Sequence, residues 1–119
     1  MRLDPDYVEV AFVAHPVRGD LDANLARARR WLRWLISEYP DTSFNLGWEV
    51  YCRVLDDAKP EERARGMRDA RAQLTRCDTI FVVGGATTPG MKEEVALAGS
   101  CGLAIVDLTS MGEEPPELS

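Results

Sequence analysis

At 119 residues the chain is sized for one domain around a single core. Its 45% hydrophobic and 29% charged residues are the balance of a soluble globular protein, not of a disordered or membrane chain. A net charge of −6 argues against broad electrostatic contact with DNA or RNA, although a small anion held by a few local donors stays possible.

No apolar run approaches the roughly 18 residues of a membrane span, and the N-terminus MRLDPDYVEV lacks an apolar signal core. A cytoplasmic protein without membrane contact is therefore expected. Cys52, Cys77 and Cys101 are widely spaced and form no CxxC pair, which predicts reduced and mostly buried thiols. With one histidine, His15, neither a zinc site nor a Ser-His-Asp triad is supported. No metal or cofactor is expected.

In chain order, Tyr7–Ala14 (YVEVAFVA) reads as a buried parallel strand, because it is β-rich and barely alternates with polar residues. The loop HPVRGD follows, with Asp20 as a helix N-cap. Leu21, Leu25, Ala28, Leu32 and Leu35 then recur at helical spacing until Pro40 stops the pattern. Thr42–Trp48 predicts a second strand and Glu49–Leu55 a short helix. Pro60 opens a further helix running to about Thr75. Asp78–Gly85 (DTIFVVGG) is the clearest strand, followed by a helix from Pro89 to about Ser100 and a last strand at Leu103–Leu108. Residues 1–112 are expected to form the domain and 113–119 an acidic, frayed tail.

Strands alternating with helices imply a parallel sheet with helices on both faces. Ligands of such sheets bind at the carboxyl ends of the strands, which selects the loops AHPVRGD, NLGW and GGATTPG. Asp78 begins a strand at the opposite end and is read as structural.

Within the third loop and its helix, the adjacent Glu93 and Glu94 have different fates. Taking Met91 as zero and about 100° per residue, Glu93 falls near 200°, facing solvent, and Glu94 near −60°, at the margin of the buried stripe. Glu94 is thus either a first-turn acid favoured by the helix dipole or a half-buried carboxylate able to act as nucleophile or base. Thr88 is an N-cap before Pro89, and the same hydroxyl with the N–H groups around Gly90 suits a phosphate or carboxylate. Gly84 and Gly85 form a turn or let a ligand approach the backbone. The loop is neither a Walker A nor a GxGxxG sequence, so ATP and NAD have no specific support.

Arg18 is a solvated loop arginine or a phosphate clamp. Trp48, after the second strand, is the tryptophan best placed to stack on a base. Trp31 and Trp34 read as packing or subunit-contact residues. Arg27, Arg29, Arg30 and Arg33 make one helix basic, as an exposed or intersubunit face.

The halves FVAHPVRGD and CDTIFVVGGATTPGMKEEVALA, with LDDAKPEERARGM between them, resemble the nucleoside 2-deoxyribosyltransferase superfamily. That superfamily includes the 2′-deoxynucleoside 5′-phosphate N-hydrolases and small phage-type relatives of unassigned function. The resemblance covers about Val8 to Asp107. It implies a flavodoxin/Rossmann-like three-layer α/β sandwich with a parallel sheet of about four strands, assembled as a homodimer or higher oligomer.

It further implies cleavage of the N-glycosidic bond of a (deoxy)nucleoside or its 5′-monophosphate, with Glu94 as nucleophile. By that resemblance Arg18 and Thr88 would bind the 5′-phosphate, and Phe12 would stand beside the nucleophile. From their places in the loops, Gly19 and the Gly90 backbone are candidates for the phosphate and Trp48 and Gly85 for the substrate site, while His15 either lines the pocket or caps a strand end as a structural residue. The chain departs from the pattern at three places. Phe12 stands where a tyrosine is usual, His15-Pro16 replace a serine or glycine, and Ala70 occupies the position of a helical aspartate that helps protonate the leaving base. Asp69 is the nearest carboxylate, roughly 100° away around the helix. The alternative function is a nucleotide-binding or sensing protein of the same fold with weakened catalysis.

Overall fold

The computed structural model describes residues 6–118, which form a flavodoxin/Rossmann-like three-layer α/β sandwich. The strands are β1 (Glu9–Ala14), β2 (Thr42–Asn45), β3 (Thr79–Val82) and β4 (Ala104–Asp107). The helices are α1 (Leu21–Glu38), α2 (Trp48–Val54), α3 (Pro60–Leu74) and α4 (Pro89–Ser100). All pairings are parallel and the strand order is β2-β1-β3-β4. None of the described helices is long and apolar enough to cross a membrane.

The strand side chains alternate between two cores, as the pleat requires. Phe12, Ala14, Ile80 and Val82 pack with Leu74 of α3 and with Met91 and Ala98 of α4. Ala11, Val13, Phe81 and Val83 pack with Trp31, Trp34 and Leu35 of α1. Burial on both faces explains why β1 and β3 lack polar alternation. Trp31 is fully buried, so it and Trp34 are packing residues of this core. Edge-to-face contacts run from Trp34 to Tyr39 and on to Phe81, with centroids 6.4 and 5.0 Å apart. Cys77 is buried and Cys52 half-buried, whereas Cys101 is exposed just after α4.

Several boundaries differ from the sequence expectation. β3, expected to reach Gly85, ends at Val82, because Gly84 and Gly85 turn the chain with φ of +103° and +81°. Pairing of β1 begins at Glu9, two residues later than expected, and the Tyr7 hydroxyl donates to the Asp78 carboxylate. Asp78 also accepts from the Val10 N–H at 2.9 Å, so it secures the amino end of the sheet. β2 ends at Asn45 and not at Trp48. The Asn45 side chain accepts the Gly47 N–H at 2.8 Å, turning the chain so that Trp48 opens α2.

The sequence reading gave the tail from residue 113 no partner, but Glu113 and Glu114 have several. The Trp31 indole donates to the Glu113 carbonyl at 2.7 Å. The Glu114 carboxylate accepts from Arg30 at 2.8 and 2.9 Å and from Arg27 at 3.0 Å. Arg29 instead reaches Glu49 at 2.7 Å. Part of the basic face of α1 is therefore consumed inside the chain.

Candidate active site

The sheet order makes the chain depart in opposite directions after β1 and after β3. The carboxyl ends of these adjacent strands thus flank the crevice where such folds bind ligands. A cavity of about 590 Å³ opens there, within the usual range of small-molecule sites. Its rim comes from the β1–α1 loop and the start of α4, and its wall from α2 and α3.

The β1–α1 rim is held by α1. Asp20 caps the helix by accepting the Ala23 N–H at 3.1 Å. Asn24, on the first turn, donates its side-chain amide to the Val17 and Arg18 carbonyls, both at 3.0 Å. Gly19 (φ +103°) makes the turn that needs no Cβ. The backbone of Arg18 is thereby fixed, while its exposed guanidinium has no carboxylate partner among the described residues.

On the facing rim, Thr88 accepts the Met91 N–H at 3.2 Å and caps α4. Pro89 fills the first helical position, so Gly90 supplies the first N–H of the helix. A Cβ at Gly90 would meet only Thr88 Oγ1, at 4.0 Å, which leaves the backbone open to approach. Arg18, Gly19, Thr88 and Gly90 all line the cavity.

One turn further into α4, Glu93 and Glu94 both line the same cavity; Glu94 is half-buried and Glu93, expected to face only solvent, is exposed at its rim. Burial, and secondly the negative charge of Glu93, push the Glu94 carboxyl up to about 7. This amounts to roughly 3 kcal/mol of disfavoured ionisation, using about 1.4 kcal/mol per unit. A carboxyl so placed can deliver or accept a proton, or attack as carboxylate, near neutral pH.

His15 borders the cavity and is buried. Its Nδ1 donates to the Pro16 carbonyl at 2.7 Å, leaving Nε2 as a lone-pair acceptor that is buried and unpartnered among the described residues. Burial holds the imidazole below its usual range, hence neutral. Gly84 (φ +103°) makes room for this ring, since a Cβ there would stand 2.7 Å from His15 Cδ2.

Other residues singled out in the sequence lie elsewhere. Phe12 is wholly buried in the sheet core and does not reach the cavity. Gly85 faces the C-terminal segment, where a Cβ would stand 2.8 Å from the Glu113 nitrogen. Trp48 borders the cavity but is only 7% exposed, and its indole donates to the Val13 carbonyl at 2.7 Å. It is part of the floor, not a free stacking surface. Asp69 does not line the cavity; its carboxylate accepts from Arg65 and Arg68, at 2.8 and 2.9 Å. Arg65 first, then Arg68 and the Tyr51 hydroxyl, hold its carboxyl down at about 2, so it is not a proton donor at neutral pH. Ala70, the next residue, does line the cavity.

A family model described as a domain of unknown function (DUF7768) matches residues 9–108. The chain belongs to that family. No curated protein matches it. The DUF7768 span runs from the first residue of β1 to just past β4. It encloses every cavity-lining residue and leaves Glu113 and Glu114 outside. Tyr51 of α2 also lines the cavity and carried no sequence signal, because the face α2 presents depends on how α3 packs against it.

Proposed function

We propose that this chain cleaves the N-glycosidic bond of (deoxy)nucleoside 5′-monophosphates, as a cytoplasmic hydrolase or deoxyribosyltransferase of the nucleoside 2-deoxyribosyltransferase type. The observation that carries the reading is the pairing, in one cavity, of an anion corner with Glu94 one turn away. The Arg18 guanidinium, the Thr88 hydroxyl and the Gly90 N–H are donors suited to a phosphate. The Glu94 carboxylate would attack the anomeric carbon as the glycosidic bond breaks. The base leaves with the bonding electron pair and takes a proton from solvent. Water, or a second base, then displaces Glu94 from the sugar.

A second reading is a protein that binds a nucleotide without turning it over. It is favoured by Asp69, whose carboxyl is held ionised by two arginines, and by Phe12, which offers no hydroxyl to the nucleophile.

Incubation with a panel of deoxy- and ribonucleotides, followed by chromatography for free base, separates the two. Base release abolished by Glu94→Ala and retained in Glu93→Ala supports the enzyme. A melting temperature raised by nucleotide without base release supports the binding protein. If neither is seen, both readings fall. The proposal includes a homodimer or higher assembly, for which Val50 and Val54 leave an exposed apolar face on α2; sedimentation tests it.

A further inference from the structure

Two aromatic side chains line the cavity, and they are not equivalent. Trp48 is sealed into the floor by its bond to the Val13 carbonyl. Tyr51, nearly one turn later on the same helix, is half-buried and meets the cavity with part of its side chain still open. Its hydroxyl lies beside the Asp69 carboxylate, which pushes the phenol above its usual range. Asp69 is in turn fixed by Arg65 and Arg68 of the same helix, α3. One end of the phenol is thus part of α2 and the other lies against Asp69 of α3.

Around Tyr51 the wall is apolar. Leu55 comes from α2, and Met67 and Ala70 come from α3. Of the charged groups on this wall, Arg63 and Glu62 are engaged, whereas Arg71 of α3 has no ion pair among the described residues. Arg63 pairs with Asp57 at 2.9 Å, and Glu62 accepts the Asp56 N–H at 2.9 Å. Such a wall offers flat apolar surface and few uncommitted donors or acceptors. It suits the face of an aromatic ring better than its edge.

We propose that Tyr51 is the base-stacking residue of this site, its ring positioned by Asp69, with Leu55, Met67 and Ala70 completing a slot that receives the nucleobase by its face. The assignment rests on the nucleotide reading given above and deepens it. Asp69 acquires a positioning role in place of the acid role that sequence reasoning offered. Because every base has a π-face, the slot accepts purines and pyrimidines alike.

The test is calorimetry on the full chain carrying Glu94→Gln, which stops turnover. The ligands are dGMP, dCMP and base-free 2-deoxyribose 5-phosphate. Both nucleotides are expected to bind within about tenfold of each other, since stacking depends little on base identity. Adding Tyr51→Leu, which keeps apolar packing and removes the aromatic face, should weaken both nucleotides roughly 5- to 150-fold. The sugar phosphate should be unaffected. Tyr51→Phe keeps the ring and Asp69→Asn weakens its anchor; each should cost less than Tyr51→Leu while again sparing the sugar phosphate. Equal losses for nucleotide and sugar phosphate in Tyr51→Leu, or no loss at all, overturn the stacking role and leave the nucleotide site standing. Failure of the parent protein to bind any of the three ligands overturns both.

Discussion

Two neighbouring glutamates separate structure from chemistry at the level of single residues. Glu93 is exposed at the cavity rim and its charge helps raise the Glu94 carboxyl, so Glu93→Gln should retain base release while moving its pH dependence to lower pH. Glu94→Gln should reduce it by at least a hundredfold, read by the same chromatography. The raised Glu94 carboxyl also fixes two pH dependences. A nucleophile must be ionised, so base release should rise with pH and level off above about 7. Stability runs the other way. The folded protein holds the Glu94 proton more tightly than the unfolded chain does. That contribution is full below about 4.5 and is lost as pH rises through about 7. Melting temperatures of wild type and Glu94→Gln should therefore diverge between pH 5 and 8, with the variant less sensitive. The distinction between the two glutamates was legible from helical spacing alone, because a wheel needs only α4 itself. Tyr51 was not legible, because its place on the cavity wall depends on how α3 packs against α2.

At the level of elements, the joint between β3 and α4 combines backbone and cap requirements. Thr88→Ala removes the acceptor for the Met91 N–H and should cost about 1 kcal/mol in urea unfolding. Thr88→Ser keeps that acceptor and should restore most of the loss. Gly84→Ala faces a harder limit. It combines a positive φ with a Cβ 2.7 Å from a buried ring, so it should destabilise by at least about 2 kcal/mol. The element order and the extents of α1, α3 and α4 followed from apolar period, Pro40, Pro60 and Pro89, all local signals. The junction of β2 and α2 was misjudged by a few residues. There the deciding interaction is an Asn45 side chain folding back on Gly47, which hydrophobic pattern does not encode. Trp48 shifted with it, from a loop aromatic to a buried one.

For the whole molecule, the two cores are joined through the sheet, and residues 113 and 114 strap the outer side of α1. Trp31→Phe removes the donor to the Glu113 carbonyl and leaves a small void where the fully buried indole packed. It should lower stability by about 2 kcal/mol or more. Its clearest sign should be faster proteolysis after residue 112, followed by mass spectrometry. The acidic composition of this segment predicted fraying, and what opposes it lies some eighty residues away on α1, beyond the reach of local pattern. The strand order has a consequence for the ribosome. β1 is made first but sits between β2 and β3, so its second neighbour emerges only after residue 82 has been added. At about 5–20 residues per second, the most apolar strand waits several seconds with an open edge. Nascent chains stalled before residue 79 should accordingly hold chaperones longer than chains stalled beyond residue 108.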